Sequence, residues 1–210
     1  MAPATTLVVN ALRDTVIDFC ERSLLYRQEL PQILVLGPTS TTTTVDAAAS
    51  ATTITVVSTT DFADGDTLTV DLDDGTKWRG KVSGTPAALV ITLDAGLTSA
   101  ASSGVTVTRI VSLYTMTMPT GTAFAKGLRA WLNDAPLDPI SEDDVDTEFN
   151  NSEFGWVGVN WRTDVKLPTR WYVKSDDTVC LVMPPDAGGA LRVLAALKPT
   201  RASTTFPTWI

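Results

Sequence analysis

One stretch, residues 5–28 (TTLVVNALRDTVIDFCERSLLYRQ), limits what this chain can fold into, because no other long segment has helical period. Val8, Leu12, Val16, Phe19 and Cys20 recur at steps of three and four, which places them on one face of a helix. Asp14, Asp18, Glu21 and Arg22 line another face, the mark of an amphipathic helix half-covered by partners. Thr5 or Thr6 can cap its start, and Pro31 ends the helical stretch. Nearly everything after it reads as strand and loop. A single helix does not hold alone in water, so the strands pack on it or copies of it pack together. The fold class this implies is α+β: a long N-terminal helix packed with a small antiparallel sheet, plus an inserted all-β module.

The inserted module is marked by a shift in composition. After a short apolar strand, QILVL, closed by Gly37-Pro38, residues 39–108 are crowded with Thr, Ser, Ala, Gly and Asp, yet they alternate as strands do. Asp74-Gly75 marks a two-residue hairpin turn between DTLTVDLD and TKWRGKV. Phe62, Leu68, Val70, Trp78, Val82 and Leu89 would supply a small core. The domain reading is therefore a discontinuous core, residues 1–38 and 109–210, with a β module at 39–108 looped out of it. In the resumed core, SLYTMTMP alternates as a strand, and Asn133-Asp134 turns GLRAWL back on itself. Ser141 caps a short acidic helix, SEDDVDTEFN, with Asp144 three residues on. Strands TVCLVM and ALRVLAALKP follow, and the sequence given closes on the aromatic FPTWI.

Chemistry is constrained mainly by what is missing. The chain has no histidine, so it holds no imidazole base, no Ser-His-Asp triad and no histidine metal site. Cys20 and Cys180 both sit in apolar settings and read as small buried hydrophobes. No phosphate-binding glycine loop is present. Asp71, Asp73 and Asp74 read as a turn, and the acidic run from Glu142 to Glu148 as a solvated helix start. No catalytic residue, cofactor or metal is expected. The net charge of −8 argues against a generic nucleic-acid binder, though an acidic wall lets DNA slide past without gripping it. No apolar run is long enough to span a bilayer and MAPATTLVV is not a secretory signal, so no membrane partner is expected, and the protein is expected to stay in the cytosol unless something carries it elsewhere. Trp78, Trp156 and Trp161 suggest an alternative, a carbohydrate- or surface-binding β module.

The order of the pieces resembles the head-to-tail adaptor (connector, head-completion) proteins of short-tailed bacteriophages. The matching residues are the opening helix LVVNALRDTVIDFCERSLLYRQEL, the strand SLYTMTMP, the LRAWLNDAPLDPIS hairpin and LPTRWYVKSDDTVCLVMPPDAGGALRVLAALKPT. They span roughly two-thirds of the chain, all outside the insert. Members of that family usually continue past the position of FPTWI into further helices, whereas the sequence given stops at Ile210. The resemblance implies a structural virion protein at the head–tail junction, assembled in the host cytoplasm. It implies a homo-oligomeric ring of about twelve copies joined by head-to-tail contacts. Its partners would be the portal protein and a tail tube or nozzle protein, with genomic DNA passing non-specifically through the lumen. Leu12, Asp14, Val16, Asp18, Phe19, Glu21 and Arg22 would form the ring-interface and lumen helix. Phe206, Trp209 and Ile210 would dock on portal or tail.

Overall fold

The helical stretch breaks earlier than its period suggests. In the computed structural model, which describes residues 5–150, 161, 162 and 164–200, α1 runs Thr5–Ser23. Leu24 then takes φ 51°, and its N–H donates to the Cys20 carbonyl at 3.1 Å, the left-handed cap that stops a helix. The next residues form strand: β1 (Arg27–Glu29) and β2 (Ile33–Val35). Six strands follow in the Thr-rich stretch: β3 (Thr39–Thr42), β4 (Thr53–Thr55), β5 (Thr67–Asp71), β6 (Lys77–Lys81), β7 (Val90–Thr92) and β8 (Thr106–Ile110). The remainder is β9 (Leu113–Thr115), β10 (Thr122–Leu132), β11 (Ala135–Pro139), α2 (Glu142–Asn150), β12 (Arg170–Ser175), β13 (Thr178–Val182) and β14 (Gly189–Pro199).

The expectation of an α+β fold built on a long helix and a small sheet is overturned. The chain is mostly β, 44% strand against 12% helical. One curled sheet runs β1-β14-β10-β11-β12-β13-β9, with β2 sharing the β1 side of β14 as an eighth strand. It is not wholly antiparallel, since β11 and β12 pair in parallel. The physical reason lies in the two 11-residue strands, β10 and β14, which pair along nearly their whole length from Thr122–Pro199 to Leu132–Leu191. Bulges between Phe124 and Lys126 and between Gly127 and Arg129 bend β10 and strengthen its twist. The sheet thereby curls until β9 lies against β2, and it buries its own concave face. Leu191, Val193, Ala195 and Leu197 from β14, Val179 and Leu181 from β13, Trp171 from β12 and Tyr114 from β9 meet there. No covering helix layer is required, and α1 is left as an appendage on the outside of β14 and β10.

Strand alternation sends the neighbouring residues outward. Tyr172, Cys180 and Val182 form a second cluster on the far face of β12 and β13, with Val145 of α2, Trp161 and Met183. Ser141 holds the start of α2 as expected, its Oγ accepting the Asp144 N–H at 3.1 Å and donating to the Asp144 carboxylate at 2.6 Å. Asn133 and Asp134 take φ 49° and 66°, the two-residue turn that suits the twist of the β10–β11 hairpin.

The strands between Thr39 and Ile110 pair with one another. Hydrogen-bonded order β3-β8-β5-β6 forms one sheet and β4-β7 a ribbon. Two joints close the ring: Val57 N–H to the Thr42 carbonyl at 2.9 Å, and Ser83 N–H to the Thr92 carbonyl at 2.8 Å. The result is a small closed barrel, which leaves no sheet edge open. Ile54, Val56, Leu68, Val70, Trp78, Ile91 and Val107 fill it. Leu89, expected in this core, is exposed with φ 65° in the turn before β7. Asp74-Gly75 turns by a three-residue loop, not two: Leu72 N–H bonds the Thr76 carbonyl, and Gly75 sits at φ 79°, where a Cβ is disfavoured.

Candidate functional site

Two surfaces carry features that packing alone does not require. The first is α1, which presents three stripes around its axis. Arg13, Val16 and Ile17 are half-buried and Cys20 is fully buried, so this stripe is the docked one. On the strand beneath, Arg192, Leu194, Ala196 and Lys198 alternate outward; Ala196 is fully buried and Lys198 pairs with Glu21. The second stripe holds Asp14, Asp18 and Arg22, all exposed, with an Arg22–Asp18 ion pair at 2.7 Å one turn apart. Such a pair contributes a few tenths of a kcal/mol at most, so this stripe is a solvated face. The third holds Val8, Leu12 and Phe19, which are 42%, 59% and 47% exposed.

The sequence placed Val8, Leu12, Val16, Phe19 and Cys20 on one face. The structure splits that face: Cys20 and Val16 go toward the sheet, and the other three toward solvent. Covering Val8, Leu12 and Phe19 from their present exposure is worth about 1 kcal/mol each, by the usual apolar-area coefficient. Of the expected interface residues, α1 thus brings Leu12 and Phe19 together on one open stripe and Asp14, Asp18 and Arg22 on another. Val16 belongs to the docked stripe, and Glu21 is drawn to Lys198. Phe206, Trp209 and Ile210 lie outside the described residues.

The second surface is a cleft of about 400 Å³ where the barrel meets the outer face of the curled sheet. From the barrel come Thr67, Arg79, Gly80, Lys81 and Asp94; from the sheet side come Ser112, Leu113, Glu142, Trp161, Arg162, Tyr172, Lys174 and Cys180. Strand alternation explains the barrel wall. In KWRGK, Trp78 points into the barrel core, its indole N–H held by the Gly96 carbonyl at 3.1 Å, so Lys77, Arg79 and Lys81 point out. Arg79, Lys81, Arg162 and Lys174 share the lining with two carboxylates, Asp94 and Glu142. Both carboxylates are engaged: Asp94 accepts the Lys81 backbone N–H at 2.9 Å, and Glu142 accepts the Tyr172 hydroxyl at 3.3 Å. Arg79 reaches across the junction to Asp164 at 3.0 Å, and the Arg162 guanidinium lies 4.1 Å over the Trp161 ring. Tyr172 and Cys180 floor the cleft; burial is the main cause that raises both above their ordinary pKa values, so both are neutral at physiological pH. Sequence reading missed this site because Arg79 and Lys81 lie about eighty residues before Arg162 and further still from Lys174.

Trp78 and Trp161 are buried, so neither offers a ring face to a sugar; Trp156 lies outside the described residues. The Asp71, Asp73 and Asp74 cluster is spent on local bonds, to Lys77, to Ser102 and to Thr76. Among the described residues no group of three potential ligands could hold a metal ion, and no helix is long and apolar enough to cross a membrane. No family model matches the chain, and no curated protein matches it.

Proposed function

We propose that this chain is a structural virion protein whose copies close into a ring joining the portal of a phage head to the tail, with the genome passing through the lumen. The observation that carries the reading is the open apolar stripe of α1. A helix already docked through Val16 and Cys20 still leaves Val8, Leu12 and Phe19 in water, although covering them would contribute roughly 3 kcal/mol per contact. A neighbouring copy is the simplest cover: in a head-to-tail contact one patch meets a different patch, and the contact repeats until the ring closes. Leu34 and Leu36 in and beside edge strand β2, 73% and 44% exposed, offer the complementary patch. In the same reading Asp14 and Asp18 face the lumen, where their charge keeps the DNA backbone moving. The closed barrel stands off the ring as an outward decoration, and Phe206, Trp209 and Ile210 are the residues proposed to dock on portal or tail. The role is mechanical and calls for no catalytic group.

The test is the double substitution Leu12→Asp with Phe19→Asp, followed by sedimentation velocity. Both side chains are exposed, so the fold should hold within about 0.5 kcal/mol. The wild-type chain should sediment as a ring and the double variant as a 22.4 kDa monomer. A variant ring as stable as wild type would remove α1 from the interface.

A further inference from the structure

The N-terminal turns of α1 run off the sheet that carries the rest of the helix. Val9, Arg13, Val16 and Cys20 recur at steps of four, three and four, so they share one face. That face is buried at Cys20, half-buried at Val16 and Arg13, and open at Val9, which is 39% exposed. Leu7, on another side of the same turns, is 65% exposed, and every residue from Leu7 to Leu12 is exposed. A helix that is apolar on most of its sides belongs inside a contact. Arg13 stands where the cover ends. It is half-buried, has no carboxylate three or four positions away along α1, and makes no ion pair among the described residues. Partly burying an unmatched charge is costly, and a carboxylate brought by a partner lowers that cost.

The β2 edge, the complementary patch of the ring contact, carries such a carboxylate. Gly37 packs so closely on the segment before β14 that a Cβ on it would lie 2.9 Å from the backbone nitrogen of Gly188, which sets Asp186 beside Leu36. Asp186 is exposed and makes no ion pair among the described residues. Arm and edge therefore match twice: exposed apolar residues against Leu34 and Leu36, and one unmatched cation against one unmatched carboxylate. We propose that the N-terminal arm of α1 crosses onto the next copy of this chain, where Arg13 pairs with Asp186 of the partner subunit and fixes the register of the contact. A second copy is the occupant because the open face at Val9 continues one that already lies on the chain's own sheet through Val16 and Cys20. The inference rests on the ring reading and adds Leu7, Val9, Arg13 and Asp186 to its contact.

Charge reversal tests it, read by sedimentation velocity over a concentration series. Arg13→Glu and Asp186→Arg should each raise the concentration at which rings form about tenfold, because like charges then face each other across the contact. Combining Arg13→Glu with Asp186→Arg restores the pair and should return assembly to within about twofold of wild type. Asp186 lies on an exposed loop, so Asp186→Arg tests the contact even where Arg13→Glu loosens α1. Val9→Asp, off the stripe of Val8, Leu12 and Phe19, should weaken assembly as well. An Asp186→Arg ring that forms at the wild-type concentration, or a double reversal that assembles no better than Asp186→Arg alone, overturns the pairing. A Val9→Asp ring as stable as wild type overturns the overhang. In each of these cases the wild-type ring still stands. A wild-type chain that never forms rings ends the ring reading and this contact with it.

Discussion

Tyr114 clamps the two connections between the barrel and the curled sheet. Its hydroxyl lies 3.0 Å from the Val111 carbonyl in the segment leaving the barrel and 3.3 Å from the Leu36 carbonyl in the segment entering it. One proton serves both acceptors, and the ring is buried in the sheet core. Tyr114→Phe leaves both carbonyls without that donor at unchanged packing, so it should cost about 1–2 kcal/mol at neutral pH. For a chain of this size that lowers the melting temperature by roughly 2–8 °C. The pH dependence is more telling. Burial, first among the causes, raises the folded pKa of Tyr114 far above its ordinary value of 10.0. The folded state therefore keeps a proton that the unfolded state gives up, and stability present below pH 10.0 is lost as pH rises past it. At pH 11 the unfolded tyrosine has gained about 1.4 kcal/mol by ionising, and phenylalanine gains nothing. Urea unfolding of both proteins at pH 9 and pH 11 should show the wild-type advantage shrinking by about that amount. A gap that stays constant between the two pH values would refute the buried, protonated clamp.

Leu181 is fully buried on β13 at the centre of the sheet core, so Leu181→Ala should cost about 2–5 kcal/mol by chemical denaturation. Asn133 combines φ 49° with a side-chain bond accepting the Ala190 N–H at 2.9 Å; Asn133→Val should lose both and cost about 2–3 kcal/mol, whereas Asn133→Gly should lose the bond alone, about 1 kcal/mol. Cys20 and Cys180 are buried free thiols with raised pKa values, chiefly from desolvation, so neither should react with a thiol reagent at pH 8 until the chain is unfolded.

What could be read from sequence was local. The Asn133-Asp134 turn and the Ser141 cap each depend on residues within a few positions of one another. The sheet was illegible because its defining pairings are distant: Arg27 with Ala196, Asp138 with Arg170, Thr178 with Thr115. Arg27 and Gln28 closed an apparently helical stretch, and only β14 makes them strand. Periodicity showed which residues of α1 share a face, but not that the sheet would cover Cys20 and leave Phe19 open. Barrel closure likewise rests on single bridges, Thr43 with Val56 and Val82 with Leu93, that leave no periodic trace. The cation cleft needs β6 beside β12, and neither KWRGK nor RWYVK announces the other.

Single-particle electron microscopy of the purified full chain tests the central claim most directly. Closed rings of one symmetry are expected, with α1 of one copy against the β2 edge of the next and its Asp14 and Asp18 toward the lumen. A particle of a single 22.4 kDa chain across a range of salt conditions, alone and mixed with portal rings, would contradict it.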